Sequence, residues 1–300
     1  MSKEFIFKPI NINDDFAELR KIFLLNLKKK ISKSFYVWRY LINKKMYCYV
    51  IKKKKLVIGH VGFVKYKSQN GNCFLSRHSS FVDKIYRRKN LYSDLIKFCL
   101  QKFKSEKIYF ILIWPNKLNR FTNKKFNNLI KLPILKMYMS KNKDSKNTKL
   151  QKLKNINQIE SFINLKNNYD LIKKDKSYFN WRYFTKKPTE NFYYHLCKNK
   201  KSIIIFNYNK KENIYNLLDY IGDRSFFFNH IQLINNKLKF VFWVNEKNEK
   251  KKSFRDLKLS KYKNKEFYSY IIPVKNNFNI SNYKFLDIQM GDTDVFIQSF

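Results

Sequence analysis

Three consecutive basic residues, Arg87-Arg88-Lys89, lie within the segment YRRKNLY at 86–92. Strand-like sequence precedes this segment, and a helical pattern follows it. A loop that leads into a helix presents several unpaired backbone N–H groups together with the positive end of the helix dipole. Such a place binds anions, and a pyrophosphate suits it. The residue types and their order therefore predict an anion site here, reinforced by the three basic side chains.

The elements that position this site can be read from the surrounding pattern. The segment CFLSRHSSFV at 73–82 is typical of a strand, and YFILIWPN, which ends at Asn116, is typical of a buried strand. Between them, apolar residues at helical spacing form one face of an amphipathic helix over 91–103. These apolar residues are Leu91, Leu95, Phe98, Cys99 and Phe103. The predicted order is strand, basic loop, helix and buried strand.

The triplet Trp-Arg-Tyr occurs twice, at 38–40 and at 181–183. Each copy is followed by a hairpin pattern and, further on, by an apolar strand that closes with Trp-X-Asn, at Asn116 and Asn245. This order indicates a duplicated fold. The second half, LLDYIGDRSFFFNHIQLI at 217–234, keeps the strand and the helix but lacks Arg-Arg-Lys-Asn. We therefore expect one anion site per chain, and we interpret the triplet as a packing feature of both halves.

A low-complexity stretch from Ser140 to Asn157 separates the two halves and contains no aromatic residue. It predicts a first domain over 1–140, a linker over 141–157 and a second domain over 158–300. Each half has an ordinary domain length.

The segment FVDKIYRRKNLYSDL resembles the acetyl-CoA-binding segment of the GNAT superfamily of N-acetyltransferases. Val82 matches the end of the family's strand, Tyr86 its aromatic residue, Arg87 its leading arginine and Leu91 the apolar residue that opens its helix. Arg88 and Asn90 stand where the family usually has glycines. Asparagine adopts left-handed backbone conformations more readily than most residues, whereas a bulky arginine can obstruct the approach of a pyrophosphate.

The resemblance extends over nearly the whole chain. The second half is similar to the C-terminal half of two-domain GNAT proteins, some of which resemble enzymes that acylate amino sugars for surface polysaccharide biosynthesis. The residues that carry this likeness are Asp175, Tyr178, Trp181-Arg182-Tyr183, Pro188, Tyr193 and Gly291-Asp292-Thr293-Asp294. The resemblance implies an α/β (α+β) fold of two tandem GNAT-like domains, each a mixed, largely antiparallel sheet flanked by helices. The resemblance also implies that the second domain is a degenerate copy of the first and completes the acceptor cleft.

The resemblance also implies a co-substrate, acetyl-CoA or another acyl-CoA, and no metal. Backbone N–H groups near Phe81 and Val82 would hold the thioester carbonyl, and Asn116 would either bond the pantetheine arm or cap the following helix. The residues expected to bind the co-substrate are Phe81, Val82, Arg87, Arg88, Lys89, Asn90, Leu91, Tyr92 and Asn116.

N-acyl transfer requires a neutral amine, a polarised thioester carbonyl and protonation of the leaving thiolate. His78, Asp83 or a water between them are the candidates for the general base. His78 alternates with Ser76 and Ser80, which predicts that the three lie on one face of the strand. Structural alternatives stand beside both residues: His78 as a hydrogen-bonded histidine and Asp83 as a turn residue. The family's usual acid is a tyrosine after Pro-Asn, but the segment 117–128 contains none. Tyr92, Tyr138 or bulk water remain as alternatives. His60, beside two glycines, is interpreted as a core histidine.

The predicted function is an acyl-CoA-dependent N-acyltransferase that acts on a small amine such as an amino sugar or its nucleotide conjugate. We expect the acyl group to be acetyl, which would make the protein an N-acetyltransferase. One alternative is a Fem-like aminoacyltransferase that takes its acyl group from tRNA. The alternatives of another class are a non-enzymatic nucleic-acid-binding protein and a scaffold derived from an enzyme whose pocket Arg88 and Asn90 have closed.

The formal net charge of +42 invites a nucleic-acid interpretation. However, the chain has 9 arginines against 55 lysines and a single alanine, which is the composition of an AT-biased genome. Nucleic-acid readers usually concentrate arginine, so a nucleic-acid partner is not favoured, although the charge does not exclude one. Four unpaired cysteines, no apolar run of membrane-spanning length and no signal-peptide pattern predict a cytoplasmic protein. The sequence does not indicate an oligomeric state.

Overall fold

The computed structural model describes residues 4–42, 45–115, 129–140, 150–163, 171–185, 191–197, 202–235, 237–276 and 278–282. These residues fall into two compact units. The first contains the described residues up to Lys131 and those from Ser269 to Asn279. The second contains those from Leu132 to Tyr268 and from Ile280 onward.

This division differs from the domain boundaries expected from sequence. The change of unit falls at 131/132 rather than near 140, and a late segment, Ser269–Asn279, returns to the first unit. The reason is strand pairing, because a strand belongs to the sheet that satisfies its backbone hydrogen bonds. Within the predicted linker 141–157, residues 141–149 lie outside the described residues, and Gln151–Lys152 forms a short edge strand of the second sheet.

The first sheet has the order β1-β3-β4-β5-β6-β15-β7, with β2 paired to β3. Its strands are β1 (Ile6–Pro9), β2 (Leu41–Ile42), β3 (Lys45–Lys53), β4 (Leu56–Lys67), β5 (Cys73–Val82), β6 (Ile108–Ile113), β7 (Ile130–Lys131) and β15 (Tyr270–Pro273). The pair β5 and β6 is parallel, and the other pairs are antiparallel. A helix, Leu91–Lys104, lies in the connection between these two parallel strands, as is usual for a crossover connection.

Three helices pack on this sheet: α1 (Ile12–Leu27), α2 (Lys33–Tyr40) and α3 (Leu91–Lys104). The predicted apolar face of α3 is confirmed, since Leu91, Leu95, Cys99 and Phe103 are buried against the sheet and Phe98 packs at the margin of the same core. Helix α1 contributes the buried side chains Leu19, Ile22 and Phe23 to the unit.

The second sheet has the order β14-β8-β13-β12-β11-β10-β9. Its strands are β8 (Leu135–Met139), β9 (Gln151–Lys152), β10 (Phe192–Cys197), β11 (Ser202–Asn209), β12 (Ile214–Ile221), β13 (Phe240–Asn245) and β14 (Ser260–Phe267). Again one pair, β12 and β13, is parallel, and helical residues 227–235 connect the two strands. The described helices of this unit are α4 (Glu160–Ile163), α5 (Lys176–Phe179), a π-helix (Asn180–Phe184), α6 (Phe227–Asn235), α7 (Glu246–Glu249) and α8 (Lys252–Arg255).

The two sheets confirm the predicted mixed, largely antiparallel architecture in each half. When the second order is written from its other end, β9, β10, β11, β12 and β13 correspond to β1, β3, β4, β5 and β6. In each unit the next strand is antiparallel to the last of these, β15 in the first unit and β8 in the second.

Both Trp-Arg-Tyr triplets lie in helical segments, α2 and the π-helix. The Ser32 hydroxyl caps α2 by accepting from the Phe35 N–H at 3.1 Å, and the Asp175 carboxylate caps α5 by accepting from the Tyr178 N–H at 3.0 Å. Tyr36 and Tyr40, one turn apart, are both buried. A Cβ at Gly62 on β4 would lie 2.5 Å from the Tyr40 ring, so glycine there allows α2 to seat on the sheet.

The four cysteines are free thiols, as expected, and Cys48 and Cys99 are buried. Burial raises the pKa of the Cys48 thiol to about 12. No helix in the described part of the chain is both long and apolar enough to cross a membrane.

Candidate functional site

The middle of β5 contains a β-bulge. His60 pairs with Phe81 and Gly62 pairs with His78, so Val61 of β4 faces two residues of β5, Ser79 and Ser80. The extra residue bends a strand and re-aims the groups that follow it. Ser79 adopts φ +43°, a left-handed conformation that a residue with a Cβ enters at a cost.

The parallel neighbours β5 and β6 separate next to this bulge. Among the described residues, their last paired positions are Ser76 and Leu112. Strand β5 continues to Val82 and β6 to Ile113 beyond that pair. We call this region, between residues 77–82 of β5 and the end of β6, the notch. Among the described residues, the β5 backbone beyond Ser76 is not paired with β6 in the parallel ladder.

Residues 83–90 connect β5 to α3. Asp83 caps a 3₁₀ turn, Lys84–Tyr86, with its carboxylate accepting from the Ile85 N–H at 3.0 Å. The Arg87 guanidinium folds back on the strand. It donates through Nε to the Val82 carbonyl at 3.1 Å and through Nη2 to Asn26 Oδ1 of α1 at 3.3 Å. The loop is thereby tied to both the strand end and α1.

The two positions that depart from the family's glycines both have left-handed backbone. Arg88 has φ +70°, and Asn90, the N-cap of α3, has φ +55°. Glycine is the usual residue in this conformation because it has no Cβ. The loop therefore keeps the backbone path of a glycine-rich turn with other residues in it. The Arg88 side chain is exposed.

The loop delivers the chain to the N-terminus of α3, whose first-turn N–H groups have no partner within the helix. Tyr92, in this turn, lies beneath the Arg77 guanidinium, which is 5.7 Å from the ring centroid. Its hydroxyl is 3.4 Å from Ser80 Oγ on the bulge. Arg77, Ser80 and Tyr92 thus occupy the α3 side of β5.

Lys89 and Tyr86 are held by the N-terminal segment. The Lys89 ammonium is 5.8 Å from the centroid of the Phe5 ring, and this ring packs edge-on against Tyr86 at 6.3 Å. Lys53 also lies over Tyr86, at 5.4 Å. Lys53, which pairs with Glu4, and Lys89 therefore add positive charge around the connection, and positive charge there favours a multiply charged anion.

Most of the predicted co-substrate residues are neighbours in sequence, and they lie at the end of β5, in the connection and in the first turn of α3. Phe81, Val82, Arg87, Arg88, Lys89, Asn90, Leu91 and Tyr92 form one continuous path from the bulge to the first turn of α3. Asn116 lies outside the described residues, as do the segment 117–128, Pro188 and Gly291-Asp292-Thr293-Asp294.

The candidate acid and base residues do not all lie near the β5 bulge. His78 is buried on β5 next to the bulge, opposite Gly62. The bulge breaks the alternation expected from sequence, because it turns Ser80 toward Tyr92 instead of leaving it on one face with Ser76 and His78. Tyr138 lies in the second sheet, where its hydroxyl donates to the Glu249 carboxylate. Burial and this hydrogen bond raise its pKa.

His60 was expected to be a core histidine, and it is fully buried. Its role was not apparent from sequence. The Nδ1–H donates to the carbonyl of Ser79, the bulge residue, at 2.7 Å, and Nε2 is 2.8 Å from the Tyr36 hydroxyl of α2. Burial lowers the pKa of His60 to about 4, which keeps the imidazole neutral. The adjacent glycines, Gly59 and Gly62, were the sequence signal nearest to this feature.

The second unit has a corresponding bulge without the basic loop. Ile205 pairs with Asp219 and Phe206 with Leu217, which leaves Leu218 as an extra residue on β12. Residues 222–226 join β12 to α6, with Gly222 at φ +136° and the Asp223 carboxylate accepting from the Ser225 N–H. The absence of an Arg-Arg-Lys-Asn equivalent is thus a difference confined to this connection.

At the bulge of β12 the buried polar group is a carboxylate. Asp219 accepts from Lys174 Nζ at 2.5 Å and from the hydroxyls of Tyr178 and Tyr183. All four residues are buried. Among the described residues of the whole chain, no three His, Cys, Asp or Glu side chains come together in a way that would hold a metal ion.

No protein-family model matches this sequence, and no curated protein matches it at a significant level. Solved structures do resemble it. A GCN5-related N-acetyltransferase from Anabaena variabilis superimposes with a TM-score of 0.63 at 14% identity, covering 90% of this chain and 73% of that one. A putative acetyltransferase from Pyrococcus horikoshii has a TM-score of 0.58 at 11% identity and covers 96% of each chain.

The N-myristoyltransferase of Saccharomyces cerevisiae with bound myristoyl-CoA is also similar, with a TM-score of 0.62 at 13% identity. The match covers 91% of this chain and 83% of that one, so it extends over both units. At such identities the likeness concerns the fold. The chain has the tandem fold of the GCN5-related N-acetyltransferases.

Proposed function

We propose that this protein is an acyl-CoA-dependent N-acyltransferase whose co-substrate binds in the first unit. The observation that carries the proposal is the combination of the β5 bulge with the turn at Arg88 and Asn90. Both positions have left-handed backbone without glycine, so the turn keeps the backbone path that glycines usually provide. The same turn leads to the first-turn N–H groups of α3, which have no partner within the helix, and to several basic side chains.

In this proposal the pyrophosphate of the CoA moiety lies at the first turn of α3. In this arrangement the first-turn backbone N–H groups of Leu91 and Tyr92 donate to the pyrophosphate, Asn90 shapes the turn, and Arg88 and Lys89 supply charge. Arg87 acts differently, because its guanidinium holds the loop to Val82 and Asn26. The pantetheine arm runs along the notch toward the bulge. Phe81 and Val82 lie on its course.

Transfer joins the acceptor nitrogen to the thioester carbon, breaks the carbon–sulfur bond and releases CoA as a thiol. The acceptor amine must lose one proton, and the leaving sulfur must gain one. We assign the base to His78 in preference to Asp83, whose carboxylate already caps the 3₁₀ turn. Of the tyrosines considered, Tyr92 is the one on the α3 side of the notch, and we assign it the acid role. Positioning the two substrates accounts for much of the rate, since the thioester is already activated.

The acceptor in this proposal is a small amine, and amino sugars and their nucleotide conjugates are the first class to test. The cytoplasm is the proposed location, in keeping with four free thiols. The acyl group is proposed as acetyl, and longer chains are compared in the same assay, because the fold is shared with a structure that holds myristoyl-CoA.

The test is release of free CoA thiol from acetyl-CoA in the presence of a panel of amino sugars, nucleotide amino sugars and amino acids. We expect amine-dependent thiol release that His78→Gln reduces strongly, while His230→Gln, a buried histidine of the second unit, leaves CoA binding intact. Absence of both binding and turnover with every acyl-CoA would reject the proposal. Salt-dependent binding of RNA or DNA without CoA binding would instead favour the nucleic-acid alternative.

A further inference from the structure

His60, a buried histidine beside the β5 bulge, connects that bulge to helix α2. His60 is on β4, Tyr36 belongs to the aromatic helix α2, and Ser79 is the left-handed residue of the bulge. Tyr36 and His60 are both essentially inaccessible to solvent, at 1% and 0% exposure. Buried hydrogen bonds of this kind cannot be exchanged for water, so each partner is needed.

The hydrogen bonds fix the protonation pattern of the chain Tyr36–His60–Ser79. A carbonyl oxygen can only accept, so the proton of His60 is on Nδ1, which is 2.7 Å from the Ser79 oxygen. The lone pair of Nε2 then accepts from the Tyr36 hydroxyl at 2.8 Å. The carbonyl thereby selects the tautomer, and the Tyr36 hydroxyl stabilises it by donating to Nε2.

Aromatic rings hold the imidazole in its orientation. Phe23 of α1 packs edge-on against it at 5.1 Å, and Phe81 of β5 lies at 5.8 Å. The Tyr40 ring is 6.2 Å away on the remaining side, where Gly62 makes room for it. Packing on these sides leaves the ring little rotational freedom.

The direction of the Ser79 carbonyl determines the direction of the next amide. In a planar trans peptide, the C=O of one residue and the N–H of the following residue point in opposite directions, and no cis peptide occurs among the described residues. Because the Ser79 carbonyl points to the His60 imidazole, the N–H of Ser80 points away from that imidazole. Strand β5 borders the notch on its side opposite β4, where pairing with β6 has ended at Ser76.

We infer that His60 is a positioning residue that, with Tyr36, holds the Ser79–Ser80 peptide so that the Ser80 N–H donates to the carbonyl of the bound acyl-CoA. This inference rests on the function proposed above and adds a role for residues outside the loop. It also gives helix α2 a functional role, since Tyr36 of this helix lies in the segment SFYVWRY at 34–40. His60 touches neither substrate and acts through the peptide.

Two variants and one matched control test the inference by acetyl-CoA binding and turnover. His60→Leu removes the donor to Ser79, and Tyr36→Phe removes the hydroxyl that donates to Nε2 of His60. Tyr47→Phe is the control, because Tyr47 is equally buried and its hydroxyl donates to Glu106 at 2.9 Å. Tyr47 also packs on Phe103 in the last turn of α3, far along the helix from the loop.

We expect kcat to fall by about a hundredfold in His60→Leu, as misplacement of a reacting group by about 1 Å can cause. Tyr36→Phe should fall by about tenfold, and Tyr47→Phe should match the wild type. His60→Asn, whose amide N–H can replace Nδ1–H, should recover part of the loss. Hydrogen exchange of the Ser80 amide should slow when acetyl-CoA binds the wild type and not when it binds His60→Leu.

The outcomes separate this inference from the proposed function. If wild-type protein binds no acyl-CoA, the proposed function fails. If wild type binds and turns over acyl-CoA while His60→Leu, folded by its thermal unfolding curve, retains wild-type kcat, the inference is overturned. Equal losses in Tyr47→Phe and Tyr36→Phe would also overturn it, because the effect would then be one of general stability. Should His60→Leu fail to fold, the comparison of Tyr36→Phe with Tyr47→Phe decides.

Discussion

The two units share a strand order and a bulge in the strand before the parallel neighbour, yet only one carries a basic loop after that bulge. In the first unit, residues 83–90 make a detour with left-handed backbone at Arg88 and Asn90 before α3 begins. In the second, residues 222–226 pass directly into α6 through a turn capped by Asp223. The two units therefore share the architecture of the sheet. The connection after the bulge distinguishes the candidate binding unit from the other unit.

The buried polar groups at the two bulges differ as well. The first unit uses a neutral imidazole, His60, which accepts from one tyrosine and donates to the bulge. The second unit uses the Asp219 carboxylate, which accepts hydrogen bonds from a lysine ammonium and from two tyrosine hydroxyls. A fully paired buried ion cluster is rigid, and it depends on every partner. We therefore expect the second bulge to serve stability and the first to serve the site.

The largest effect should follow Asp219→Asn in the second unit. The substitution keeps the side chain's volume but leaves the Lys174 ammonium buried without its counter-charge, which costs about 3–5 kcal/mol. Urea denaturation measures the change. Glu212→Gln is the matched control, since Glu212 pairs with Lys263 at the surface of the same unit and should lose at most about 1 kcal/mol. Equal stabilities for the two variants would remove the distinction between the bulges.

Arg87→Glu should abolish measurable acetyl-CoA affinity in the first unit, by a factor of at least roughly a hundred, about 2.7 kcal/mol. The substitution removes the donors to Val82 and Asn26 and places a negative charge beside the proposed pyrophosphate. Titration calorimetry gives the dissociation constant. Arg255→Glu makes the same change of net charge at an exposed position of the second unit, and it should bind like the wild type. A similar loss in both variants would mean that net charge, rather than the loop, sets the affinity.

Lowering the pH should destabilise the protein at pH values above those at which its carboxylates become protonated. The folded pKa of His60 is lowered from 6.5 to about 4, so folded His60 stays neutral while unfolded His60 takes up a proton. Stability from His60 is therefore complete above pH 6.5 and declines as the pH falls, by roughly 2 kcal/mol at pH 5. His230, with a pKa lowered to about 3 by burial and by the neighbouring His195, adds a decline in the same direction.

Unfolding midpoints at pH 7.5 and pH 5 check this prediction. His60→Asn should lose less stability over that interval than the wild type, because its amide does not titrate. A variant that kept the full acid sensitivity would show that His60 is not a source of it.

The smallest effect concerns the left-handed turn. Arg88→Gly and Arg88→Ala remove the same charge, but only glycine relieves the cost of φ +70° at a residue with a Cβ. Arg88→Gly should therefore be the more stable of the two by about 1 kcal/mol. Thermal unfolding of both variants measures the difference. If alanine is equal or better, the turn is not strained as described.

Several elements could be predicted from sequence because their signals are local. The strand-like segment at 73–82 matches β5, Cys73–Val82, and the helical spacing predicted a helix starting at Leu91. The left-handed backbone at Asn90 was foreseeable as well, since asparagine tolerates it. The repeated Trp-Arg-Tyr correctly indicated two similar halves, and the structure places both triplets in helical segments.

Other features depend on contacts between residues distant in sequence. The return of β15 to the first sheet depends on pairing with β6, whose residues precede it by more than half the chain. The bulge at Ser79 is held by His60 and, through it, by Tyr36. No periodicity marks such an arrangement, and the alternation of Ser76, His78 and Ser80 pointed to a regular strand. The roles proposed for His78 and Asp83 remain predictions.

Hydrogen exchange measured by mass spectrometry with and without acetyl-CoA tests the central claim most directly. Peptides covering 79–92 in the first unit and 218–228 in the second report the two bulges and the connections after them. We predict that saturating acetyl-CoA slows exchange in the first region and leaves the second unchanged. Protection of the second region instead of the first, or of neither at saturation, would contradict the assignment of one acyl-CoA site to the first unit.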